Sequence, residues 1–132
     1  MNSPEDTYMA RFNSESGDFS IQRFHCRGEH TYERGKPLEI STSIEIDHTM
    51  TGEATVRIEV FRKRFWSYER IYSKVVQIAL KETSEQTEYT LCIPGYETEE
   101  FQREQQLKMK VDITFNGESV FKEASWKVLE SS

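Results

Sequence analysis

The amino-acid pattern predicts an all-β protein, a two-sheet antiparallel sandwich of seven or eight strands. Three observations predict it. Apolar residues recur at every second position in segment after segment, the period of a strand with one buried face. Asn116-Gly117 stands between two such runs, and this pair suits the two-residue hairpin loops that need φ > 0 at both central positions. No segment carries the 3.6-residue period of a long amphipathic helix. Strands with one apolar face each are stably arranged as two sheets packed face to face.

Taken in order, residues 1–17 are rich in Ser, Asn, Glu and Asp and read as a loosely ordered N-terminal segment, with Tyr8 and Phe12 resting on the surface. Residues 18–130 read as the single sandwich domain. Phe19, Ile21, Phe24 and Cys26 change parity between Ile21 and Phe24, which predicts a bulged edge strand. Gly28 to Pro37 is a loop. Leu38, Ile40, Thr42, Ile44 and Ile46 alternate with Glu39, Ser41, Ser43 and Glu45, which excludes a helix. After a loop from Asp47 to Gly52, Ala54, Val56, Ile58 and Val60 face inward while Thr55, Arg57, Glu59 and Phe61 face out. Val76, Ile78 and Leu80 define a further strand, and Tyr89, Leu91 and Ile93 another before Pro94-Gly95. Glu, Gln and Arg between Thr98 and Gln106 favour one short helical turn.

The C-terminal hairpin follows by counting outward from Asn116-Gly117. Phe115 faces Glu118, Ile113 faces Val120, Val111 faces Lys122, Met109 faces Ala124 and Leu107 faces Trp126. A slip of one residue would bury Lys108, Lys110 and Asp112, so the register is strongly specified. Lys122 breaks the apolar face, which predicts a place near a sheet edge with its stem over apolar surface.

The number and spacing of strands point to an immunoglobulin-like or related Greek-key sandwich. The antibody-type Cys…Trp…Cys spacing is absent. The phrase Tyr32-Glu33-Arg34-Gly35-Lys36-Pro37-Leu38 resembles the strand entry of arrestin-like and other adhesive sandwiches, a likeness of fold from which no function follows.

Composition narrows the classes of function. At 132 residues, 36% of them apolar and 30% charged, the chain matches one globular domain. No run approaches the roughly 20 apolar residues that span a bilayer. The stretch Met1 to Asp6 lacks the features of a signal peptide, so a cytoplasmic protein is expected, a mature secreted chain being the alternative. The net charge of −6 argues against a nucleic-acid partner. Charge is also uneven. Arg57 to Lys81 carries seven Lys/Arg against Glu59 and Glu69, and Glu82 to Glu104 carries seven Glu against Arg103. Separate surface patches are expected.

Reactive machinery is missing from the sequence. His25, Cys26, His30 and His48 lack the paired spacing of a zinc site, so no metal and no cofactor is expected. There is no G-x-S-x-G elbow and no glycine-rich phosphate loop. Cys26 and Cys92 fall on opposite kinds of strand face, which argues against a buried bridge. A noncatalytic protein is expected.

The candidate site is the basic-aromatic arm of Phe61, Arg62, Arg64, Phe65, Trp66, Tyr68 and Arg70. Aromatics and arginine are enriched where interfaces concentrate their binding energy. The bland alternative is a β-arm whose aromatics cover the core and whose charges guard an edge. Two functions are therefore weighed. One is a protein–protein interaction module, using the arm or an open sheet edge, with self-association as its simplest form. The other is a carrier of an apolar small molecule, a lipid or prenyl chain held between the sheets.

Overall fold

The computed structural model describes residues 7–11, 19–48, 51–81 and 84–131. Phe12 lies outside these residues, and the side-chain placements of Tyr8, Phe19 and His25 lie outside what is described. The strands are β1 Thr7–Arg11, β2 Phe19–Gly28, β3 Thr31–Tyr32, β4 Leu38–His48, β5 Gly52–Arg64, β6 Ser67–Leu80, β7 Ser84–Ile93, β8 Glu104–Phe115 and β9 Glu118–Glu130. One helical turn, α1 Gly95–Thr98, links β7 to β8. None of the described helices is long and apolar enough to cross a membrane.

The strands form two sheets. One is ordered β1-β9-β8-β5-β6, with β3 also paired to β9, and the other is ordered β2-β4-β7. All pairings are antiparallel except the short parallel contact of β3 with β9. The alternating pattern dictates this layering. In β4 and β8 every second residue is buried, and Ile40, Ile44, Ile46, Ile58, Leu91, Leu107, Met109 and Ile113 meet in one core between the sheets.

The β8–β9 hairpin has the register counted from its turn, from Phe115↔Glu118 to Leu107↔Trp126. Asn116 and Gly117 both take positive φ, 53° and 78°. The parity change in β2 is a register shift between Ile21 and Arg23 against β4, at the sheet's edge.

Three expectations need correcting. Lys122 is not beside an edge, because Ala10 of β1 pairs with it from the far side. Strand β1 comes from a segment without apolar alternation, which left it invisible to pattern. Burial of Lys122 lowers its pKa. The helical turn sits at Gly95–Thr98, earlier than expected, because from Glu104 onward the chain is claimed by pairing with β9. The charged blocks are not separate patches. Arg62 Nη1 donates to the Glu100 carbonyl, and Gln105 Nε2 donates to the Lys63 carbonyl at 2.9 Å, so the acidic 97–104 segment lies against the basic arm.

Candidate interaction site at a hairpin tip

The basic-aromatic arm is the end of a long hairpin. Strands β5 and β6 pair from Gly52↔Leu80 up to Arg64↔Ser67, leaving Phe65-Trp66 as a two-residue loop. Phe65 is 73% exposed and Trp66 95% exposed. Phe65 also has φ 57°. Such a conformation is costly for a bulky side chain and suits glycine or asparagine.

The seven candidate residues do not share one role. Arg62 is buried at 5% exposure and pairs with Glu69 at 2.9 Å while donating to the Glu100 carbonyl. It braces the hairpin and offers nothing to a partner. Arg70 is exposed but paired with Glu59 at 3.0 Å. Phe61 and Tyr68 lie half-buried on the outer face, where the Lys108 ammonium stands 5.3 Å and 4.3 Å from their ring centroids and 3.7 Å from Glu123. Arg64, Phe65 and Trp66 are the exposed group. Arg64 lies 3.9 Å from Glu69 and 6.0 Å from the Phe65 ring.

Below the tip the hairpin is held firmly. Gln105, 1% exposed, accepts from Gln102 N at 2.9 Å and donates to the carbonyls of Lys63 and Gln106 at 2.9 and 3.0 Å. A cleft of about 360 Å³ beside it is lined by Lys63, Phe65, Gln102, Glu104, Gln106 and Lys127. Sequence reasoning missed Gln105 and Lys127. Counting the β8–β9 register two residues past Leu107↔Trp126 reaches Gln105↔Val128 and would have placed both.

It also missed a second polar cluster, at the entry to β4. Arg34 Nε and Nη2 both donate to the Glu130 carboxylate at 3.0 Å, and Nη1 donates to the carbonyls of Glu99 and Phe101 at 2.9 and 2.7 Å. Tyr32 Oη donates to the Gln102 carbonyl at 2.6 Å and accepts from Arg34 Nη2 at 3.1 Å. The Arg34 hydrogen bond holds the Glu130 carboxyl below the usual carboxylate range, and burial, the largest influence, raises the Tyr32 hydroxyl. Beside them Thr98 Oγ1 accepts from Gly35 N at 3.1 Å, and a Cβ on Gly95 would collide with the Gly35 carbonyl. These bonds tie the β3–β4 loop to α1 and to the ends of β8 and β9. The cluster is a clasp for the fold.

Among the described residues no three His, Cys, Asp or Glu side chains converge as metal ligands. Cys26 is buried and Cys92 exposed, and neither forms a disulfide among the described residues.

Comparison with known proteins places the fold and nothing finer. No protein family and no curated protein matches the sequence. Among solved structures, the chain is similar to part of a putative β-galactosidase from Bacteroides fragilis, with TM-score 0.57 and 9% identity over 79% of this chain and 15% of that one. It is similar also to Spo0M, a sporulation control protein from Bacillus subtilis (TM-score 0.55, 12% identity, 88% and 50% covered), and to the C-terminal domain of wzt (TM-score 0.53, 7% identity, 98% and 80% covered). The chain therefore spans about 15% of the length of the glycosidase it resembles. At these identities the likeness is one of architecture: a β-sandwich.

Proposed function

We propose that this chain is a noncatalytic interaction module that grips an acidic protein surface with the Arg64-Phe65-Trp66 tip. The observation that carries the reading is Trp66, 95% exposed at the end of a braced hairpin. A large indole held in water on a stiff support loses little conformational freedom on docking, which is how interface anchors gain their effect. Lys63 and Arg64 beside it give the tip a positive rim that favours carboxylates. The noncatalytic part of the reading is supported by the solved neighbours, in which a sandwich of this build is a minor part of chains named as glycosidases.

The carrier reading has no comparable support. The inward residues of both sheets pack on one another, eleven large side chains among the described residues being less than 2% exposed. The cleft beside Phe65, and a second of about 180 Å³ lined by Arg27, Ser41, Thr42, Ser43 and Glu88, open at the surface and are lined largely by polar residues.

The test is quantitative co-precipitation from the native cell, comparing wild type with Trp66→Ala and with Arg64→Ala/Trp66→Ala. One or more partners should fall by about 30-fold or more, the loss of an anchor worth about 2 kcal/mol. Identical recovery by folded variants defeats the proposal. Binding should also shift the Trp66 emission to the blue, while Trp126, 6% exposed, reports no change.

A further inference from the structure

The two sheets each leave a strand open on the same side of the sandwich. Strand β6 pairs with β5, and β7 pairs with β4, and no third described strand pairs with either. The two edges lie next to one another. The Lys74 ammonium of β6 is 5.9 Å from the Tyr89 ring of β7. Since β6 runs toward Leu80 and β7 runs away from Ser84, the edges are antiparallel neighbours. Both are exposed, at Ser73, Val75 and Gln77 on one and at Glu88, Thr90 and Cys92 on the other. Val75 is itself 53% exposed. On the inward face of β7, Thr87 Oγ1 and Tyr89 Oη are buried without a hydrogen-bond partner among the described residues.

We infer that a second copy of this chain completes this edge, each β6 pairing with the partner's β7 so that both sheets run continuously through a two-fold dimer. Two closed arrangements can engage both edges at once. A two-fold axis normal to the sheets sets β6 against β6 and β7 against β7. An axis along the strands sets β6 against β7 twice, and there too the paired strands are antiparallel. Charge decides between them. Arg70 is already paired with Glu59, so from Arg70 to Leu80 the charge that β6 offers is Lys74, with no acid, whereas β7 offers Glu88 and carries no base. The first arrangement opposes like charges on both edges, and the second opposes unlike ones. Main-chain hydrogen bonds supply the attraction, as in strand addition generally, and the closed symmetry prevents the open-ended stacking that a long bare edge invites. An axis along the strands also points both Phe65-Trp66 tips the same way. If the tip reading above holds, the dimer engages a repeated partner with both. The dimer itself does not depend on that reading.

Sedimentation equilibrium on the full chain at micromolar concentration should give twice the chain mass. Val75→Glu/Gln77→Glu, which sets acid on β6 against the partner's acidic β7, should weaken the dimer by about tenfold or more with an unchanged circular dichroism spectrum. A chemical cross-link tests the arrangement independently. Ser73 pairs with Glu59 on the outer face of one sheet, and Cys92 lies on the outer face of the other. Within one chain these positions point away from each other, and only the proposed dimer brings them onto one surface. With Ser73→Cys, a short bis-maleimide should yield a covalent dimer whose mapped peptide joins residue 73 of one copy to Cys92 of the other. A monomeric wild type, a dimer indifferent to the two glutamates, or a dimer in which no 73-to-92 link forms overturns the inference. None of these results bears on the tip, whose variants leave the edge intact.

Discussion

Two hairpins of similar length close on two-residue loops, and they solve the same geometric problem with different chemistry. At the end of β8–β9 the positive-φ positions are Asn116 and Gly117, the residues that adopt that conformation at least cost. At the end of β5–β6 the positive-φ position is Phe65, followed by a fully projecting Trp66. The first loop is chosen by folding. The second departs from what folding favours, the departure that the proposed binding role of the tip would explain. The hairpin that bears the strain is also the one braced from below by Arg62 and Gln105.

The contrast can be broken or sharpened by substitution. The largest effect belongs to the core shared by both hairpins. Ile113→Ala, at a fully buried site, should cost about 2–5 kcal/mol by urea denaturation. Arg62→Ala comes next, at about 1.5–3 kcal/mol, because it strips the buried brace from Glu69 and from the Glu100 carbonyl. It should lower partner capture only through the tip's rigidity, so a variant that folds yet binds normally would show that bracing is not needed. Gly117→Ala, at φ 78° with open space around it, should cost about 1–2 kcal/mol from backbone strain alone and leave capture untouched.

A pH titration of stability probes the clasp at the β4 entry. Arg34 holds Glu130 below its ordinary carboxylate value in the folded chain. The folded state therefore releases this proton more readily than the unfolded state. The clasp's contribution is complete above the ordinary carboxylate range and is lost as pH falls through it toward the depressed folded value. Glu130→Gln should flatten the acid limb of the urea midpoint against pH. A limb unchanged by the substitution would mean that other carboxylates set it. Because the pair is partly solvated, the effect should be small.

How much of this was legible follows from which residues speak locally. The hairpin register, the bulge in β2 and the alternation of β4 and β5 were readable because period and turn chemistry act over neighbouring residues. Strand β1 was not, since Thr7 to Arg11 pairs with β9 across more than a hundred residues and carries no apolar alternation of its own. The clasp was half visible. Tyr32 to Leu38 stood out as a strand entry, but Arg34 finds Glu130 only after the fold brings the chain's end beside it. The arm's composition drew attention to the hairpin tip, yet composition cannot separate Arg62, buried in a brace, from Arg64, exposed two residues later. On a strand those two share a face, and only the end of the sheet distinguishes them.

The most direct measurement is the stability of Phe65→Asn. If Phe65 is kept in a left-handed conformation for what it contacts outside the chain, asparagine should raise the unfolding free energy by about 1 kcal/mol. A loss of similar size would mean that the aromatic ring supports its own fold, and the tip would then need no partner to explain it.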